Sequence, residues 1–233
     1  LPDEFKNSPR YYTLQAQYCY SAKDFKKALE YIDEYNKLSP NSPLTFQMRA
    51  LVYDEEGDEY NAHVNWGKYN MLRKNTDIAV NEFLNAVQLK DDDIDLLFLL
   101  AGLLTESGET NHAAEYYEKI AKLDPTNKEA LRKLAKFREG IGDYRMQVKY
   151  LEKIVDADSK DIQALKELAK ACEKIKDFDG AVSSYSKCLE LITDPAETQL
   201  LKSKLEKLES HGASNVDESV GLLDKIMGFF NKN

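Results

Sequence analysis

Cysteine is scarce in this 233-residue chain: Cys19, Cys172 and Cys188 are odd in number and form no CxxC pair. That argues against a disulfide framework in a chain long enough to build its own core. Long apolar runs are missing as well. The strongest candidate, Leu96 to Leu104, is far shorter than a membrane span, and no signal peptide is visible. The three histidines, His63, His112 and His211, lie far apart without carboxylate or Cys companions at metal-ligand spacing, so each reads as a surface or helix-start residue. Positive charge is in deficit, with Lys+Arg 32 against Asp+Glu 41 and a net charge of −9. A general nucleic-acid binder needs the opposite balance to neutralise phosphates.

Catalytic signatures are absent too. No Ser/His/Asp set, phosphate loop or paired acid–base site emerges, and Gly140-Ile141-Gly142 follows no strand and is therefore no dinucleotide signature. Asp91 to Asp95 resembles a calcium loop only superficially. Leu96 stands where the sixth-position glycine belongs and Gly102 where the closing glutamate belongs, so the stretch reads as a turn and helix N-cap. Glu55 to Glu59 reads likewise as a solvated acidic turn. The expectation is a non-enzyme without metal or cofactor. Cys172 and Cys188 fall one on each helix of a single pair, facing inward as small buried hydrophobes.

What the chain does have is a period. Gly67, Ala101, Ala135 and Ala169 recur every 34 residues; Ala79, Ala113 and Ala181 keep the same beat, as do Phe83, Tyr117, Leu151 and Tyr185. A period of this length means a solenoid of helix pairs, each burying its apolar face against its neighbours. From Ile94, two amphipathic helices are joined by a short turn at Gly108 and stopped by Asp124-Pro125. Small Ala101 and Ala113 let them approach, while Leu97, Leu100, Leu104, Tyr117 and Ile120 fill the interface. This unit resembles the tetratricopeptide repeat, with its small–aromatic–small–Pro pattern and closing LDPTN. The unit at 128–161 keeps Leu131, Leu134, Ala135, Leu151 and Ile154 but has Gln147 for the usual Ala and Ser159 for Pro. Units at 162–195 and 9–42 match through Leu165, Ala169, Ala181 and Tyr185, and through Tyr12, Ala16, Ala28 and Pro40. The resemblance implies an all-α helical-hairpin solenoid wound as a right-handed superhelix, with first helices lining a concave groove and second helices the convex side.

One step of the lattice slips. Ala16, Ala28, Ile32 and Tyr35 step forward by one repeat to Ala50, Ala62, Trp66 and Tyr69, whereas the downstream lattice steps back to Gly67, Ala79, Phe83 and Ala86. The mismatch is half a repeat, or one helix. Three helices are expected near 43–56, 60–73 and 77–90, the middle one serving both lattices, with the slip near 57–76. Two sub-arrays at 9–59 and 60–195 are expected after a lead-in at 1–8; the alternative is one irregular unit with an overlong loop. A capping helix at 196–209, with Leu200, Leu201, Leu205 and Leu208 at helical spacing, precedes a linker at 210–216.

The tail at 217–231 places Val220, Leu223, Ile226, Met227 and Phe230 on one helical face. Such a face has three destinations: this array, a groove on another protein or another copy, or a membrane interface. Its Asp217, Glu218 and Asp224 fit poorly with anionic lipid.

If first helices line a groove, Phe98 and Leu99, with Tyr20, Gln47, Met48 and Leu51 upstream, offer apolar contacts. Arg132, Lys133, Lys136, Lys166, Lys170 and Lys174 add a basic stripe for an acidic peptide. The alternative for the stripe is an ordinary solvated face with pairs such as Glu129–Lys133. Some members of the family clamp a C-terminal carboxylate, but Glu167 falls where that clamp needs Asn. The function expected is a protein-interaction scaffold binding a peptide or partner helix and assembling a multiprotein complex, with self-association through the tail as a further option. The other reading is a peripheral membrane or envelope component anchored by the tail. No address is legible: the cytoplasm fits, and the lack of an initiator Met keeps the periplasm open.

Overall fold

The computed structural model describes residues 7–208; the tail face and the linker fall outside them. Twelve helices and no strand occupy the described residues. They are α1 (Pro9–Ser21), α2 (Phe25–Leu38), α3 (Pro43–Glu56), α4 (Glu59–Leu72), α5 (Thr76–Leu89), α6 (Ile94–Glu106) and α7 (Thr110–Leu123), then α8 (Lys128–Gly140), α9 (Tyr144–Ala157), α10 (Ile162–Lys174), α11 (Phe178–Leu191) and α12 (195–208). The chain divides into two compact units at Leu123/Asp124. The sequence lattice had placed its divide at 59/60, within what is here the N-terminal unit.

Each helix is short because its ends are written into the sequence. Ser8 accepts from the Tyr11 amide at 3.2 Å and Pro9 sits in the first turn, where its missing N–H costs nothing. Asp24, Asp58, Asp143 and Asp177 accept from the amides of Lys27, Asn61, Met146 and Gly180 at 3.3, 3.0, 3.2 and 3.0 Å, each opening a second helix. Asp93 opens α6 by accepting from the Leu96 amide at 3.0 Å, and it also accepts the Tyr60 hydroxyl from α4 at 2.5 Å. Burial alone would raise the Asp93 carboxyl; those donors outweigh it and hold the group below its ordinary value. The acidic runs at 55–59 and 91–95 are accordingly turns and caps.

The turns settle how the lattice slips. Lys23, Gly57, Lys74, Gly108, Gly142 and Lys176 all have positive φ, between 58° and 86°. The residue after each donates its amide to the carbonyl five residues earlier, as in Asp24 to Cys19, Asp58 to Tyr53 and Asn75 to Asn70, at 2.9–3.0 Å in these three. These six turns join a first helix to its second. Two follow the upstream beat and four the downstream one, and the changeover leaves α4 with such a turn at both ends. It is the second helix of α3 and the first helix of α5, and it packs broadly on both. The three helices expected at 43–90 are therefore present.

Double duty leaves α4 little free surface. Ala62, Val64, Asn65, Gly67 and Asn70 are all buried. The two buried amides are satisfied within the unit: Asn65 donates to the Asn61 carbonyl at 2.7 Å, and Asn70 donates to the Trp66 carbonyl at 2.9 Å while accepting from Asn75 at 3.2 Å. His63, read from sequence as a surface or helix-start residue, lies inside α4, half-buried, with Nδ1 2.6 Å from Glu82 of α5. His112 does sit at the start of α7, 2.9 Å from Glu109.

Lysine at a left-handed position is strained, because its Cβ crowds the following carbonyl. Lys74→Gly is expected to stabilise the N-terminal unit by about 0.5–1 kcal/mol, the relief being partly offset by a freer unfolded chain. Lys74→Ala retains the Cβ and should give no gain. Thermal unfolding followed by fluorescence of Trp66, the chain's one tryptophan, distinguishes the two.

In the C-terminal unit the core repeats itself. Leu131, Leu134 and Ala135 of α8, Leu151 and Ile154 of α9, Leu165 and Ala169 of α10, and Ala181 and Tyr185 of α11 are buried in sequence-equivalent layers. Gln147, standing where the repeat usually has Ala, is buried too. The helix at 195–208 belongs to this unit and buries Leu201 and Leu208. Lys204 from it donates to the Tyr185 hydroxyl at 2.7 Å and pairs with Glu173 at 2.7 Å, its ammonium 4.7 Å from the Tyr185 ring centre. Tyr185 in turn donates to Glu173 at 2.6 Å; burial and that carboxylate push its phenol upward.

Candidate functional site

Two concavities lie on first-helix faces, one in each unit. In the N-terminal unit, residues of α1, α2 and α3 line a cavity of ≈ 180 Å³. Ala16, Gln17, Tyr20, Ile32, Leu44, Gln47, Met48, Leu51 and Val52 line it. The lattice makes this groove. Small Ala16 and Ala50 are spent on close approach within their own helix pairs, which leaves the longer side chains beside them to form the walls. Leu44 and Leu51 are 38% and 40% exposed, so the wall they form keeps apolar surface open to solvent. Tyr20, Gln47, Met48 and Leu51, the upstream apolar positions read from sequence, all meet here.

Phe98 and Leu99 do not join them. They lie on α6, half-buried, and the Phe98 ring packs 6.0 Å from that of Tyr117 on α7.

In the C-terminal unit a more polar cleft of ≈ 440 Å³ is lined by Glu139, Tyr144, Gln147, Gln163, Glu167, Lys170, Ala171, Glu173, Lys174 and Lys204. Of the basic stripe, Lys170 and Lys174 reach this cleft, with Lys174 6.0 Å above the Tyr144 ring. Lys133 and Lys136 are exposed on α8. Arg132 and Lys166 are occupied elsewhere: Arg132 pairs with Asp161, the N-cap of α10, and Lys166 with Glu197 on α12. Lys128 binds Asp158 in the same manner at 2.8 Å. These pairs tie each first helix to the start of the next repeat, some thirty residues away. Sequence reasoning, which looked at i,i+4 partners, had no means of finding them. Within the cleft Glu139, Glu167 and Glu173 offset the lysines, so its charge is mixed rather than basic.

Among the described residues, no group of three or more His, Cys, Asp or Glu side chains could hold a metal ion, and no helix is long and apolar enough to cross a membrane. All three thiols are buried. Burial, with Asp177 adding to it, pushes Cys172 up to about 11, which suits a packing role.

Two family models described as tetratricopeptide repeat match residues 94–137 and 164–198. The chain carries tetratricopeptide repeats. No curated protein matches its sequence. Among solved structures, a crystal structure of MamA is similar with a TM-score of 0.50 at 17% identity, covering 66% of this chain and 90% of that one. MamA AMB-1 gives 0.52 at 13% identity, covering 78% and 91%. YrrB, described as a TPR protein with an unusual peptide-binding site, gives 0.47 at 16% identity, covering 86% and 95%. At these identities the likeness concerns the fold. Tetratricopeptide-repeat proteins are in general protein-interaction scaffolds without enzymatic activity, and they bind protein or peptide partners.

Proposed function

We propose that this tetratricopeptide-repeat chain is a non-enzymatic adaptor that receives an apolar or amphipathic helical segment of a partner in the α1–α3 groove and thereby assembles a multiprotein complex. The observation that carries this reading is the groove itself, walled by Tyr20, Leu44, Met48 and Leu51 and open to solvent. A helix laid between two parallel ridges presents anchors at i, i+3, i+4 and i+7, which suits a wall of alternating leucine, methionine and tyrosine. In the C-terminal unit the mixed charges of the cleft suit polar complementarity and register more than strong anion capture.

The probe is a library of fifteen-residue peptides of random sequence, selected against the full chain and read by fluorescence polarisation. Winners should carry apolar residues at helical spacing. Leu51→Glu, at a part-exposed position that leaves the core intact, should weaken them by about tenfold or more, while Lys136→Glu with Lys170→Glu should not. Acidic winners that ignore Leu51→Glu and fail with the lysine reversals would move the binding site to the basic stripe and overturn this reading.

A further inference from the structure

The repeat provides an internal standard for which surfaces are meant to be covered. Tyr18 on α1 is one repeat before Val52 of α3, and by the downstream beat it is equivalent to Tyr69, Leu103, Phe137 and Ala171. Val52, Leu103 and Ala171 are 1%, 6% and 2% exposed and Tyr69 and Phe137 are half-buried, whereas Tyr18 is 72% exposed. The difference has a simple cause. α3, α6 and α10 each lie against the second helix of the preceding pair, namely α2, α5 and α9. Val52, for example, belongs to one apolar cluster with Ala28 and Ile32 of α2. At α1 the equivalent place displays a large, amphipathic aromatic residue of the kind that anchors interfaces. This side of α1 differs from the peptide groove, whose α1 residues are Ala16, Gln17 and Tyr20.

The same alternation says what kind of helix belongs there. First helices of the downstream beat are α4, α6, α8 and α10, and α12 starts one repeat after α10, so α12 is a first helix. By order, the amphipathic pattern that comes next in the sequence would fill a second-helix place. That segment is 217–231, whose pattern gathers Val220, Leu223, Ile226, Met227 and Phe230, with Leu222 and Phe229 beside them. As a sequence pattern, so broad an apolar arc would suit packing on two sides. A second helix is the kind of element that covers the position of Tyr18 in the interior repeats.

We propose that residues 217–231 of one copy cover the Tyr18 face of α1 on a second copy, joining chains head to tail. The contact is heterologous, so each copy retains one free face of each kind and association is open-ended unless a ring closes.

Sedimentation of the full chain over a concentration series tests this. The mean mass should rise with concentration. A chain ending at Ser210 and the variant Tyr18→Glu should both stay monomeric, association being weakened by about tenfold or more. Tyr18 is exposed, so Tyr18→Glu should fold normally, and circular dichroism serves as the control. The decisive arm mixes the two. The shortened chain supplies an intact α1 face and Tyr18→Glu an intact tail, so the mixture should form a discrete 1:1 dimer and nothing larger. A full chain that stays monomeric throughout, as it would if the tail packed on its own chain, overturns the proposal. So does association that survives Tyr18→Glu but is lost with the tail, or that is lost with Leu51→Glu instead. Peptide capture in the groove is unaffected by Tyr18→Glu, so the two readings can fail separately.

Discussion

Gly67→Ala is expected to destabilise the N-terminal unit by about 1–2 kcal/mol, even though alanine is the better helix former by roughly 1 kcal/mol. A Cβ at residue 67 would meet the Phe83 ring at 2.3 Å from Cε1, 2.4 Å from Cδ1 and 2.9 Å from Cζ. Those atoms belong to a rigid ring with no exposed surface, so the ring cannot swing aside as the end of a long side chain could. Overpacking therefore outweighs propensity. Phe83→Ala opens the converse defect, a cavity beneath α4, and should cost about 3–5 kcal/mol. Combined, the two substitutions should cost clearly less than their sum, because the methyl enters space that the ring has vacated. Urea unfolding followed by Trp66 fluorescence, one residue from the substitution, measures all three. Additive effects would mean that the glycine is not there for the ring.

Leu165→Ala is the corresponding test in the C-terminal unit. Leu165 is fully buried on α10 among the layers that repeat through α8 to α11. Truncating it should cost about 2–5 kcal/mol. Cys172 and Cys188 report the loss directly, since both are buried in this unit and are reached by a disulfide reagent only when it opens. Near pH 8 the folded Cys172 thiol is neutral as well as covered, its pKa pushed up to about 11 by burial. When the unit recloses faster than the reagent reacts, labelling follows the population of the open form. At about 1.4 kcal/mol per tenfold, the rate at these two thiols should rise about thirtyfold or more. An unchanged rate, with labelling sites located by mass spectrometry, would show that α10 is not held by this layer.

Much of this fold was legible because the repeat repeats its chemistry. Small residues at Ala101 and Ala113, the N-cap within the 91–95 turn and the turn at Gly108 were readable one by one, and the half-step between Ala50 and Gly67 followed from position alone. Tyr20, Gln47, Met48 and Leu51, read as outward places on first helices, line one cavity together with Leu44, which was not read, while Phe98 and Leu99 do not join it. Where sequence fell short, the determining partner lay on another helix. His63 looks solvent-bound until Glu82 is brought to it by α5, and Arg132 and Lys166 look free until Asp161 and Glu197 arrive from the next repeat. Arg132 and Lys166 stand one repeat apart, but charged residues fill solvent-facing positions whether or not they find a partner, so position alone does not mark them as paired.

The helix with a first-to-second turn at each end also sets how this gene could be shortened. Elsewhere in the array the excisable length is 34 residues, a whole pair. Around α4 it is 17, and excising that one helix would carry Ala50 and Ala79 into a single register, fusing both beats into an unbroken series. The irregularity is thus one whole element set into an otherwise intact ruler, so the array differs from a uniform one by a single helix rather than by its side chains.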